Sequence, residues 1–171
     1  MESGDLSARG EGGRRVRAAG EAGRQRLLAD EAIAAGEYIL TLNGQMVAEP
    51  TQYSVQVAMS VHVHPPWYGG GDAQRDPQIW RNLNHSCDAS ARLLGTRLVA
   101  LRAMSVGDEI TFNYNTTEFE MSAAFMCGCG ACGGARLAGF GLLNAEERRS
   151  LWPIVGEHVR ALAIQKGLGV E

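Results

Sequence analysis

Short apolar stretches with every-second-residue spacing recur from Leu27 onward, and glycine, proline and asparagine separate them. Residues 38–42 (YILTL) and 45–47 (QMV) flank Asn43-Gly44, a pair whose positive φ angles suit a tight hairpin turn. They predict two short strands joined by that turn. In 53–63 (YSVQVAMSVHV), Tyr53, Val55, Val57, Met59, Val61 and Val63 share one face, which is strand periodicity. Residues 93–104 (LLGTRLVALRAM) form a β-rich stretch, 105–108 (SVGD) a turn, and 109–114 (EITFNY) a strand with Ile110, Phe112 and Tyr114 on one face. The last segment changes period. Asn144 with Glu147 three residues later has the pattern of a capping box, predicting a helix from Ala145 to Trp152 that is interrupted or restarted at Pro153. No internal repeat is present. The expected architecture is mainly β with a C-terminal helix.

Two segments break the pattern. Residues 65–77 (PPWYGGGDAQRDP) read as an irregular loop, in which Trp67 and Tyr68 either anchor the loop to the core or cap a groove. Residues 1–22 hold glycine, alanine, arginine and glutamate with few large apolar groups, which predicts a solvated, disordered tail. Arg14, Arg15 and Arg17 suggest a targeting or acid-binding arm, but Glu11 and Glu21 dilute their charge. His62 and His64 fall on the polar face of their strand, where surface or groove positions are expected and no third metal ligand is near in sequence.

Composition narrows the function. At 171 residues and 45% apolar content the chain can bury the core of one domain. A formal net charge of -3 argues against general nucleic-acid binding, which needs a basic surface. No apolar run near membrane-spanning length and no signal-peptide pattern is found, so a soluble, intracellular monomer with reduced thiols is expected. The four cysteines then gain weight. Cys87 closes Asn84-His85-Ser86-Cys87, and Cys127, Cys129 and Cys132 crowd into CGCGAC, where Gly128 and Gly130 let the chain curl. Four thiolates suffice for one tetrahedral zinc ion joining two segments, with four unpaired thiols or a disulfide as the alternatives.

The motifs RNLNHSC (81–87), GDEITFNY (107–114) and the following cysteine triad resemble, in order and approximate spacing, SET-domain protein lysine methyltransferases with a post-SET zinc-binding loop. Residues 29–42 (ADEAIAAGEYILTL) are similar to that family's opening hairpin, so the likeness covers roughly residues 24–143. The resemblance implies a β-clip-like fold of small twisted sheets with a pseudoknot. It places a SET domain over 23–120, the post-SET loop over 121–143 and a helical extension over 144–171. It further implies that Asn84 and His85 contact S-adenosylmethionine, largely through backbone groups, and that Tyr114 is the catalytic tyrosine. Cys87, Cys127, Cys129 and Cys132 are implied as the ligands of one structural zinc ion. The implied partner is a lysine-containing protein substrate, with no direct contact to nucleic acid or membrane.

Three departures from the family pattern are visible. The Gly-x-Gly pair before the first hairpin is replaced by Arg24-Gln25-Arg26, and Gly23 lies one residue too early. Cys129 and Cys132 are separated by two residues instead of four, and the usual Asp-Tyr is Asn113-Tyr114. The first of these leaves a second expectation, a catalytically degenerate SET-like module that binds a protein or peptide. A zinc-loop nucleic-acid binder is the weakest expectation, since Arg136 is the lone basic residue near the cysteine loop.

Overall fold

In the computed structural model, which describes residues 16–20, 25–65 and 78–170, the apolar stretches become strands of two to four residues. In chain order these are β1 (Val16–Ala19), β2 (Arg26–Ala29), β3 (Tyr38–Thr41), β4 (Gln45–Val47), β5 (Val55–Ala58) and β6 (Val61–His64), followed by a 3-10 turn at Ile79–Asn82. Then come β7 (Asn84–His85), β8 (Ala91–Leu94), β9 (Arg97–Ala100), β10 (Thr111–Phe112), a 3-10 turn at Tyr114–Thr116, β11 (Phe125–Met126) and β12 (Arg136–Leu137). A last 3-10 turn at Phe140–Leu142 leads into helices α1 (Ala145–Leu151) and α2 (Glu157–Gln165). The fold is mainly β, built of small sheets, with its helices at the C-terminal end. No helix among the described residues is long and apolar enough to cross a membrane.

Two sheets have three strands, ordered β3-β9-β8 and β4-β6-β5, and three have two: β1-β2, β7-β10 and β11-β12. β7 and β10 are parallel, pairing Asn84 with Thr111 and Phe112 with His85 across the β8–β9 excursion. On its other side the segment entering β10 meets β2, with Ile110 N–H donating to Leu27 O and an antiparallel bridge between Leu28 and Glu109. Residues 109–112 are thereby held between two distant segments. Leu27, Ile39, Leu98, Ile110 and Phe112 meet in the main apolar core beneath these strands. A second cluster of Phe140, Val155, Val159 and Ala163 seats the two helices against the last 3-10 turn.

The structure corrects several sequence expectations. β3 and β4 do not form a hairpin: β3 pairs with β9 and β4 with β6, so Asn43-Gly44 is where the chain passes from one sheet to another. Gly44 is required by close approach, since a Cβ there would lie 2.4 Å from the His64 carbonyl oxygen. Residues 53–63 are not one strand. β5 and β6 are antiparallel, Ala58 opposite Val61, and Ser60 takes a left-handed φ of 54° in the turn. A two-residue turn keeps the alternation unbroken in sequence while reversing the chain in space.

The tail expected over 1–22 is shortened, because β1 pairs along its length with β2, Val16 opposite Ala29, and buries Ala18. Arg17 on the outer face lies 3.4 Å from Asp30, so its charge hid a strand whose alternate residues face inward. Residues 1–15, Arg24, Trp67 and Tyr68 lie outside the described residues. His62 is buried, not a surface residue, because β6 is the central strand of its sheet, and its Nδ1 has no partner among the described residues. The capping box forms as expected: Asn144 Oδ1 accepts from Glu146 and Glu147 N–H, and Glu147 Oε2 accepts from Asn144 N–H.

Candidate functional site

The site is built around β7. Asn84 Nδ2 donates to Gln25 O at 3.0 Å and to Glu109 Oε1 at 2.8 Å, so one amide ties the start of β2 and the start of β10 to β7. The segment that stands where the resemblance expects Gly-x-Gly therefore does run beside Asn84, carrying Gln25 and Arg26. His85 is fixed through both ring nitrogens. Its Nδ1 accepts the Tyr114 backbone N–H at 3.2 Å, which leaves Nε2 as the protonated nitrogen of the neutral ring. Nε2 lies 3.2 Å from Cys87 Sγ and donates to it. Burial lowers the His85 pKa to about 4, so the ring is neutral at physiological pH.

Tyr114 sits where β10 gives way to the 3-10 turn. Asn113 makes that junction, its Oδ1 accepting from Asn115 N–H at 3.1 Å, so the amide in place of an aspartate acts as a cap. The Tyr114 hydroxyl donates to Leu83 O at 2.9 Å. Its ring packs at 4.7 Å from Phe112, 5.2 Å from His85 and 6.4 Å from Phe125. Burial pushes its pKa up to about 12, and the group remains a phenol. Tyr114 and Leu83 line a groove of about 580 Å³ between the β4–β5 connection and residues 117–125. His64, half-buried and bonded through Nδ1 to Thr51 Oγ1 at 2.9 Å, lines the same groove.

All four cysteines converge beside His85. β11 and β12 form a hairpin whose loop, residues 127–135, carries three of them, and Cys127 N–H donates to Ala135 O at its base. Gly130 turns the loop with a φ of 80°, a region that side chains other than glycine rarely enter. All four thiols are free. Cys87 Sγ lies 3.9 Å from Cys127 Sγ, and Cys129 Sγ lies 3.9 Å from Cys132 Sγ. A zinc tetrahedron with Zn–S bonds of about 2.3 Å has an edge of about 3.8 Å, so these sulfur spacings fit the ion. Backbone N–H groups of Cys87, Cys129 and Ala131 point at the sulfurs of Cys129, Cys127 and Cys129, at 3.5, 3.4 and 3.4 Å. The Cys87 N–H bond is the main cause that lowers the Cys129 pKa to about 6, while burial raises those of Cys87 and Cys127. One ring nitrogen of His85 and the sulfurs of Cys87, Cys127 and Cys129 all lie within 4.8 Å of one another, and with Nδ1 taken by the Tyr114 N–H the protonated Nε2 stands beside the cluster as a donor.

Several participants carried no signal in the sequence. Leu83 contributes a carbonyl, Gln25 another, and Glu109 a carboxylate that holds Asn84; none belongs to a residue type that announces such a role. Glu118 is the most consequential. It lines the groove, and burial raises its pKa to about 7.

No family model matches the chain. Methyltransferase flvH of Aspergillus flavus is 36% identical over 93 residues, covering 51% of this chain and 51% of that protein, so the chain spans about half the length of this curated relative. Among solved structures, a humanized mutant of the Chaetomium thermophilum Polycomb Repressive Complex 2 is similar with a TM-score of 0.48 and 18% identity, over 61% of this chain and 15% of that one. The methyltransferase domain of human Histone-lysine N-methyltransferase SETMAR is similar with a TM-score of 0.48 and 17% identity, over 64% of this chain and 51% of that one.

Proposed function

We propose that this chain is an S-adenosylmethionine-dependent protein lysine methyltransferase of the SET type, with one structural zinc ion tying its C-terminal loop to the site. The observation that carries the reading is that His85, next to Asn84 on β7, joins Tyr114 at the groove to the cluster of four cysteines. The Aspergillus flavus relative, named a methyltransferase, supports the reaction class.

When bound, S-adenosylmethionine supplies a methyl group on a positively charged sulfur. β7 belongs to a two-stranded sheet, so one of its edges is free of strand pairing, and in this reading its backbone groups receive the cofactor. The Asn84 amide is already committed to Gln25 and Glu109, which leaves the main chain for that task. The lysine side chain enters along the groove toward Tyr114. Apolar walls such as Phe112 and Phe125 depress its pKa from about 10.4, freeing the amine lone pair for an in-line displacement. The Tyr114 hydroxyl donates its hydrogen bond to Leu83 O, which leaves its oxygen lone pairs to stabilise positive charge at the transferring carbon. Cys87, Cys127, Cys129 and Cys132 hold the zinc, and the β11–β12 loop is clasped beside the groove.

The test is transfer of labelled methyl from S-adenosylmethionine to lysine-bearing protein, compared with Tyr114→Phe. Transfer is expected to fall by about 100-fold or more in the variant, the scale of losing one oriented polar group in a transition state. Undiminished transfer would remove Tyr114 from the role. Arg24 and Arg26 at the places of the two glycines favour a second reading, a module that binds a peptide without catalysis. Calorimetry with S-adenosylhomocysteine separates the two, since no binding at millimolar ligand with zinc present selects the module.

A further inference from the structure

Glu118 is not used by the methyl-transfer chemistry. Its backbone N–H donates to Tyr114 O at 3.0 Å, so it stands one turn beyond the tyrosine, and its side chain lines the same groove. Oε1 accepts the Gln56 backbone N–H at 2.8 Å, the side chain's one hydrogen bond among the described residues. Glu118 thus lines the groove with one carboxylate oxygen on the Gln56 N–H.

A glutamine would hold Gln56 equally well without the cost of burying a charge, so the hydrogen bond does not account for an acid here. Among the described residues no Arg, Lys or His forms an ion pair with Glu118, and burial alone raises its pKa to about 7. His64 and Arg81 line the same groove, and the Glu118 carboxylate, held there by the Gln56 N–H, is placed to receive a cation brought by a ligand. At the groove, Tyr53 is 65% and Phe125 42% exposed, offering aromatic faces that suit a guanidinium or ammonium.

We propose that Glu118 selects substrates carrying a second basic side chain, an arginine or lysine, two residues from the lysine that reaches Tyr114. The spacing follows from geometry. Side chains one helical turn apart are separated by about 6 Å. In an extended peptide, residues i and i+2 share a side and lie about 6.6 Å apart. A lysine directed at Tyr114 thus brings the side chain two positions away to Glu118. The inference rests on the methyltransferase reading only in taking Tyr114 as the place where the amine is received.

The experiment uses the full zinc-loaded chain with S-adenosylhomocysteine and short fluorescent peptides containing one lysine, with arginine or glutamine two residues before or after it. Anisotropy is expected to show the arginine peptide binding about tenfold more tightly, the scale of one charge-assisted hydrogen bond in a groove. Glu118→Gln, isosteric and still able to hold Gln56, is expected to bring the two peptides within about twofold of each other. Glu118→Asp, which keeps the charge, should retain part of the preference. Equal affinities in the wild type, a preference that survives in Glu118→Gln, or no binding of either peptide at millimolar concentration would each overturn the inference. Labelled methyl transfer to the same peptides is read separately. A preference without transfer defeats the methyltransferase reading and leaves the selection by Glu118 standing, whereas transfer without a preference does the reverse.

Discussion

The core under β2, β3, β9 and β10 and the cysteine loop at 127–135 are ordered by different forces. In the first, Leu27, Ile39, Leu98 and Ile110 are fully buried, and folding is driven by removing apolar surface from water. Around the second, Phe125 and Met126 are 42% and 66% exposed, and among residues 127–135 only Cys127 is buried. That loop has almost no apolar burial to offset its ordering entropy. Its order depends on four sulfurs and their N–H contacts. The comparison teaches that the segment bearing Tyr114 is set by the core, whereas the cysteine loop has little burial to order it and, in the proposed reading, relies on zinc.

The strongest way to break the comparison is to remove the metal. Zinc is expected at one ion per chain, and chelation is expected to abolish methyl transfer, since structural zinc sites contribute about 10 kcal/mol or more to the order of their loops. Hydrogen exchange should then rise through residues 125–137 and stay slow in β3, β8 and β9. Uniform exchange across both regions, or a zinc content well below one, would show that the two are not separately stabilised. Ile110→Ala attacks the other side. The cavity left between β2 and β10 should cost about 4 kcal/mol in denaturant unfolding, and it should lower both regions together.

Glu118 tests the seam between groove and helices, because its carboxylate holds Gln56 of β5 and its carbonyl accepts Phe140 N–H at 2.8 Å. Its folded pKa, about 7, stands above the ordinary value of 4.5, so the folded state keeps a proton that the unfolded state has already lost. The stabilising contribution of the neutral acid is complete below pH 4.5 and is lost as pH rises through about 7. Glu118→Gln should therefore gain on the wild type across that window by about 3 kcal/mol at most, measured by urea unfolding at several pH values. A difference independent of pH would contradict the assignment. The smallest effect is expected at the helical end. Asn144→Ala, which removes the cap of α1, should cost about 1 kcal/mol and leave zinc content and transfer unchanged.

Legibility in the sequence followed the range of the interactions. The α1 capping box, the turn before α2 and the inward-facing Ile110 and Phe112 were readable because each depends on residues a few positions apart. The hairpin expected at Asn43-Gly44 failed for the opposite reason. β3 found β9 and β4 found β6, partners chosen by burial in two separate sheets, and no local turn preference competes with that. The single strand expected over 53–63 failed because a two-residue turn leaves alternation intact. His62 looked polar and exposed, yet it sits on a central strand.

By itself the sequence determined the chemical inventory: four thiols in two groups, the Asn84-His85 pair, a tyrosine ending a strand pattern, and a formal net charge of -3. Those follow from residue type and spacing, which folding does not alter. Only the tertiary structure decided that His85 spans from the Tyr114 backbone to Cys87, that Leu83 O accepts the Tyr114 hydroxyl hydrogen bond, and that Glu118 lines the groove with its carboxylate on the Gln56 N–H. Burial and hydrogen-bond pairing are set by segments far apart in the chain, so the identity of a residue does not disclose whether its charge will be solvated or kept waiting for a partner.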